Sequence, residues 1–313
     1  MSTLFAFFNS IPGAVAQGLS WGLMAIGVYI TYRVLDVADL TVDGSIATGG
    51  AVCAVAITLG VNPWIAMLLA VIAGMLAGFV TGVLHTACGI PAILSGILTQ
   101  LALYSLNLRI MAIGSGDSTK ATLALSVDNH NLLLSSRYVR ELGLNNPIVL
   151  LLLVVAVVIA LLYLFFGTEI GSALRATGCN PSMARAQGIN TDKSKILALV
   201  VSNGMVALAG ALISQYQGSA AVDMGRGAIV IGLAAVIIGE VLLSKVRNFA
   251  LKLSACALGA IIYYLVITLV LRLGLESTDL KLLTAVVVAA FLSVPYWKNK
   301  YFTKTGKAGA GRA

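Results

Sequence analysis

Apolar residues run along this chain in blocks of about 20, separated by short polar punctuation. That is the length a helix needs to cross roughly 30 Å of hydrocarbon. Nine blocks can be marked, at about 12–33, 44–61, 63–87, 91–113, 147–166, 196–217, 227–244, 249–271 and 278–296. The pattern predicts an all-α fold, a polytopic membrane helical bundle with about nine transmembrane segments. Pro147 to Phe166 is the cleanest block, with no charge and Tyr163 as its one polar handle. The second and seventh blocks are short and glycine-rich, the signature of a broken or re-entrant segment.

Composition agrees: 59% of residues are hydrophobic and 10% charged, which excludes a soluble domain with a fully solvated surface. Charge then orients the bundle. Lys and Arg gather at three places, Arg175, Arg185, Lys193 and Lys195, then Lys245, Arg247 and Lys252, then Lys298, Lys300, Lys304, Lys307 and Arg312. With nine crossings all three fall on one side, and the positive-inside rule makes that side the cytoplasm. The N-terminus is then outside and the C-terminus cytoplasmic. The opposite loops mix signs, with Asp117, Lys120, Asp128, Arg137, Arg140, Glu141, Asp223, Arg226, Glu276 and Asp279. This divides the chain into a membrane domain, 1–297, with a cytoplasmic loop at 167–195 and an external loop at 114–146, and a basic cytoplasmic tail, 298–313, suited to anionic lipid headgroups. No basic start or small-residue cleavage site precedes the first block, so it is expected to be retained.

Several chemistries have no residues to carry them. Cys53, Cys88, Cys179 and Cys256 lack metal spacing, and His85 and His130 are isolated. The one Gly-Lys pair, Gly306-Lys307, lacks the rest of a phosphate-cradling loop. No triad, HExxH or paired-carboxylate motif is visible. No metal, nucleotide or nucleic-acid partner is expected on this chain, and if it pumps, another chain supplies the energy.

The segment 171–190, GSALRATGCNPSMARAQGIN, stands apart as a polar insert between apolar blocks. Asn180 can cap free amides, Pro181 fits the first helical position, and Gly188 supplies the left-handed stop. This spacing predicts a helix over Pro181–Gln187, about 10 Å long. Alone it would be marginal, so it needs a surface to rest on. Ala184 and Ala186 permit close approach, Met183 offers an adaptable knob, and Arg175 and Arg185 can reach carboxylates or carbonyls. The alternative is a positive-inside loop with a surface turn.

Polar residues inside the blocks are candidates for a pathway or for interhelical seams. Asp36, Asp39, Thr41, Asp43 and Ser45 lie where the first block meets the second. They read either as a broken helix lining a pathway or as a cytoplasmic turn with Arg33 balancing the acids. Gln100 and Asn107, seven apart, share a helical face. Asn203, Gln215 and Gln217 pose the same choice. Glu240 is expected to pair with Lys245 or Arg247 near a helix end. Gly74, Gly78 and Gly82 form a small-residue stripe, expected to pack within the subunit. The external loop reads as a docking platform, with LLLSSRYVRELGL as either an interfacial amphipathic helix or a solvated loop.

The insert resembles the cytoplasmic loop of permease subunits of bacterial ABC importers in the branched-chain amino acid, ribose and nucleoside superfamily. The pattern G-x-x-x-R-A-x-G-x-N-x-x-x-A-x-x-x-G-I is met here by Gly171, Arg175, Ala176, Gly178, Asn180, Ala184, Gly188 and Ile189. QGLSWGLMAIGVYITYRVLDVADLTVDG and GRGAIVIGLAAVIIGEVLL extend the likeness to most of the chain. They are similar to the branch paired with tryptophan- and tyrosine-type binding proteins. The resemblance implies a multi-pass protein of the bacterial plasma membrane and a second copy of the permease. It also implies two ATPase subunits that bind ATP and Mg, and an external substrate-binding protein. It makes residues 171–190 a coupling helix that takes up ATPase closure, and amino acids, aromatic ones among them, the solute. Two other classes remain open from residues alone: an ion-driven secondary transporter using Asp39, Asp43 or Glu240, and a scaffold without a pathway.

Overall fold

In a computed structural model, the described residues are 2–113, 119–125, 132–139, 146–243, 246, 248–272 and isolated positions between 282 and 293. The helices are α1 (Ser2–Tyr29), α2 (Val42–Thr58), α3 (Pro63–Thr86), α4 (Ala92–Ile113), α5 (Pro147–Gly167), α6 (Glu169–Cys179), α7 (Pro181–Ala186), α8 (Thr191–Gln217), α9 (Ala228–Leu242) and α10 (Phe249–Arg272). Eight of the nine apolar blocks thus coincide with helices. The ninth lies largely outside the described residues, as do the tail 298–313, Lys245 and Arg247. Six helical stretches have the length and composition to cross a membrane, whereas α2 and α9 are shorter. At 1.5 Å per residue, α2 and α9 reach only about 26 and 22 Å, less than the hydrocarbon thickness.

Local chemistry sets the helix starts. Asn-Pro opens three helices: Asn62 accepts the Trp64 amide at 3.0 Å, Asn146 the Ile148 amide at 2.9 Å, and Asn180 the Met183 amide at 3.0 Å. In each, Pro takes the first position, where its missing N–H costs nothing. Asn190 caps α8 in the same way, through Lys193.

The core forms around α8, which packs on α3, α2 and α1, while α1 also packs on α10 and α9. The glycine stripe of α3 faces α8. A Cβ on Gly74 or Gly78 would collide with the α8 backbone at Asn203 or Leu199, and one on Gly82 would lie 3.0 Å from Ile196 Cα. The stripe therefore serves packing within the chain, as expected, and it allows backbones to approach where a side chain would hold them apart.

One element departs from the all-helical reading. A small antiparallel ribbon pairs β1 (Thr122–Ala124) with β2 (Ser219–Ala221), so the fold is helical but not purely so. It fastens the 114–146 loop to the end of α8, and neither three-residue strand is long enough to show alternation in the sequence. In that same loop, the described residues 132–139 hold a single short turn, Ser136–Tyr138, held by Ser135 Oγ accepting the Arg137 amide, and no amphipathic helix. The rest of that stretch, with Arg140 and Glu141, lies outside the described residues.

Candidate functional site

Where α1 ends, the chain widens into a π-helical turn, Ile30–Val34, and Asp36 takes a left-handed backbone (φ +57°) before α2 begins. Non-glycine residues rarely adopt that conformation, and π-turns often mark functional breaks in helices. The helix is broken at this junction, and its polar side chains turn inward. Asp39 is 3% exposed, and Thr41 and Ser45 are fully buried. Arg33 does not balance the acids here. It pairs with Glu240 of α9; the partners expected for Glu240, Lys245 and Arg247, lie outside the described residues.

Asp39, Ser45 and Asn203 form one network. Asn203 Nδ2 donates to Asp39 Oδ2 at 2.7 Å and to the Leu199 carbonyl at 3.0 Å, while its Oδ1 accepts from Ser45 Oγ at 2.6 Å. The Thr41 amide donates to Asp39 Oδ1 at 2.9 Å. Beside it, the hydroxyls of Thr41, Thr81 and Thr99 lie in a chain at 2.8 and 2.9 Å, joining α2, α3 and α4. Gln215 is also satisfied. Its Oε1 accepts the Leu133 amide at 3.2 Å, and its Nε2 lies 3.4 Å from Cys53 Sγ. Of the eight pathway candidates, Asp39, Thr41, Ser45, Asn203 and Gln215 thus have hydrogen-bond partners within the protein, as an interhelical seam would require.

Asp43, Gln100 and Asn107 behave differently, for all three line one cavity of about 350 Å³ together with Ala47, Tyr104, Val222 and Arg226. Asp43 reaches from α2 to the start of α9, where its carboxylate accepts the Gly227 amide at 3.0 Å and the Ile229 amide at 2.9 Å. A carboxylate there answers the free N–H groups and the positive end of the helix dipole. Asn107 is 1% exposed, yet neither its Oδ1 nor its Nδ2 has a hydrogen-bond partner. The common face foreseen for Gln100 and Asn107 is present, and it faces this cavity. Arg226 was read only as a loop charge. Its place on the cavity wall follows from β2 and the turn after it, which the sequence did not announce.

The 171–190 insert holds two helices, where one was expected. Gly171 and Arg175 belong to α6. Gly171 packs against the Phe165–Phe166 backbone, and Arg175 donates to the Phe166 carbonyl at 2.7 Å. Ala176 accepts the Asn180 amide at 3.0 Å. Gly178 sits on the Val34 carbonyl at the π-turn, so close that a Cβ would overlap it. Thr168 had no part in the sequence reading, although its Oγ accepts the Gly171 amide and caps α6. Helix α7 matches the expected start at Pro181 and ends at Ala186, with Gly188 left-handed at φ +83°. Ala184 is buried, and its carbonyl accepts the Ile189 amide at 3.0 Å. Arg185 turns back to Thr191 Oγ at 3.0 Å and Asp192 at 3.5 Å. Met183 is left 63% exposed, so the apolar knob faces outward while the two arginines tie the insert to the helices on either side, Arg175 to the end of α5 and Arg185 to the start of α8.

A polytopic helical bundle with a buried polar junction, a partly polar cavity and a short capped helix that exposes an apolar side chain has the parts of a membrane transport protein. Over residues 10–296 the chain matches the family described as branched-chain amino acid transport system, permease component, and it belongs to that family. It is 41% identical to a tyrosine transport system permease protein of Clostridioides difficile, over 91% of both chains. It is 33% identical to an uncharacterized protein of Rickettsia prowazekii, over 91% of this chain and 97% of that one. With the ribose import permease protein of Escherichia coli it shares 26% identity, over 92% of this chain and 86% of the other. The protein is an ABC transporter permease component, a multi-pass protein of the bacterial inner membrane.

Proposed function

We propose that this chain forms the solute pathway of an importer for amino acids, aromatic ones in particular, and is driven by a separate ATPase. The solute class rests on the tyrosine permease relative. An external substrate-binding protein would deliver the solute, and two copies of the permease would stand on two ATPase subunits that bind ATP and Mg. The ion-driven reading finds less support, because Asp39 is hydrogen-bonded within the core, Asp43 holds a helix end and Glu240 pairs with Arg33.

The observation that carries the coupling role is the outward Met183 on a helix fixed at both ends. Asn180 caps its start, Gly188 closes its end, and Gly178 sets the preceding helix directly on the π-turn of α1. A push on α7 would therefore meet the junction that leads to Asp39 and Asn203. In the assembled transporter in proteoliposomes, Met183→Glu is expected to lower ATP-driven uptake at least tenfold while the permease elutes as a folded species. Uptake and hydrolysis at the unaltered level would remove the coupling role from α7. Arg175 is a poorer test, since its replacement also frees the Phe166 carbonyl.

The sidedness rests on the charge distribution. Epitope tags at Ser2 and Ala313 are expected to be reached from opposite faces of intact cells. Both tags protected in the cytoplasm would refute nine crossings.

A further inference from the structure

The cavity between α2, α4 and the start of α9 combines groups that no seam needs. Asn107 offers one donor pair and one acceptor, all buried and all unpaired. Leaving such a group without a partner costs about 1–3 kcal/mol, and Asn107 carries that penalty on the lining of the cavity, where a small shift of its side chain would bring the amide to a polar visitor. Gln100 lies two turns earlier on the same face, and its carboxamide has no hydrogen bond among the described residues. Arg226, from the turn before α9, also lines the cavity and has no carboxylate partner among the described residues. Asp43 brings a carboxylate that accepts backbone amides at the α9 start, Gly227 and Ile229 among them, on the lining of the same cavity. Apolar surface comes from Ala47, Leu101, Val222 and the Tyr104 ring. The volume, about 350 Å³, lies in the range of small-molecule sites.

We propose that this cavity is a solute-contact site within the permease, built for a zwitterionic amino acid. Arg226 and the Asn107 amide take the carboxylate, the oxygens of Gln100, Asn107 and Asp43 take the ammonium, and Leu101, Tyr104 and Val222 flank the side chain. A neutral sugar would use the carboxamides and leave the opposed charges of Asp43 and Arg226 unanswered. The inference rests on the reading of the chain as an amino-acid permease and adds the residues that select the solute.

The test uses the full transporter in proteoliposomes with radiolabelled L-tyrosine and D-ribose. Asn107→Leu keeps side-chain size and removes the amide. It is expected to raise the KM for tyrosine tenfold or more with normal assembly, and Asn107→Gln is expected to recover part of that loss. Arg226→Gln should raise the KM as well, with Arg226→Lys between it and the wild type. In a second arm, Cys88 and Cys179 are changed to Ser and Gln100→Cys is introduced, at a partly exposed position on the same cavity wall. A positively charged methanethiosulfonate should modify the new thiol, with millimolar tyrosine slowing the reaction at least fivefold and ribose having no effect. Tyrosine uptake by Asn107→Leu at the wild-type KM overturns the site and leaves the permease reading standing. Wild-type uptake of ribose in place of tyrosine overturns the amino-acid class. If the wild type carries neither, the amino-acid reading fails, and the thiol then decides the site: without tyrosine protection, the site fails too.

Discussion

Two polar clusters lie within one helix length of each other in this bundle, and they differ in one respect. Around Asn203 every polar atom has a partner: Asp39, Ser45 and the Leu199 carbonyl share its amide, and the three threonines bond to one another. Around Asn107 the carboxamide is equally buried and meets nothing. Burial alone therefore does not separate a seam from a pathway. What separates them is whether the donors and acceptors are spent, because an apolar interior offers no water to satisfy them. The first cluster fixes the kink where α1 gives way to α2, and the second leaves capacity open to a visitor.

The largest effect expected from this difference is at Asn203. Asn203→Leu removes three hydrogen bonds, each worth about 0.6 kcal/mol on average in a membrane bundle. It also strips Asp39 of one of its donors, and an undersatisfied buried acid adds about 1–3 kcal/mol. A loss of about 3 kcal/mol should appear as a lower apparent Tm and a smaller folded fraction in detergent, with uptake falling only as far as the folded fraction does. A variant that folds normally but no longer transports would put Asn203 in the pathway and erase the contrast.

Asp43 stands between the two clusters, since it lines the cavity and also caps α9. Asp43→Asn keeps one acceptor and turns an amide donor toward either Gly227 or Ile229, whose N–H then loses its partner. Loss of the charge at the helix start costs about 0.3–1 kcal/mol, and the orphaned amide brings the total to about 2 kcal/mol. Thermal melts of the purified permease should show a decrease smaller than that of Asn203→Leu. No change would mean that α9 does not depend on this carboxylate.

Much of this was legible in the chain and some was not. The apolar blocks, the Asn180–Pro181 start and the Gly188 stop are local signals, and helices with the expected caps stand there. The Gly74–Gly78–Gly82 stripe and the shared face of Gln100 and Asn107 follow from helical periodicity, which survives folding. Partners far apart in sequence were not legible. Nothing near Asn203 points to Asp39, 164 residues away, and nothing near Glu240 points to Arg33, 207 residues away. The nearer bases Lys245 and Arg247 were the natural expectation for Glu240. Helix α6 was missed because Gly171 and Gly178 look like breakers. Both are instead places where the helix lies against another stretch of backbone, at Phe166 and at Val34. Arg226 escaped because the ribbon that positions it is only three residues long on each strand.

The smallest effect on stability, and the one of opposite sign, belongs to Asn107. Its amide has no hydrogen-bond partner among the described residues, so the protein itself offers nothing that offsets the cost of burying it. Leucine has nearly the same size and no polar atoms to satisfy. Asn107→Leu should therefore leave the apparent Tm unchanged or raise it, by up to about 1 kcal/mol in stability, while Asn203→Leu lowers it. Added tyrosine sharpens the difference. A solute that binds only the folded state raises stability with concentration, so the wild-type melt should climb in excess tyrosine and that of Asn107→Leu should not. If Asn107→Leu proves as destabilising as Asn203→Leu, the Asn107 amide has a structural partner after all and belongs with the seam.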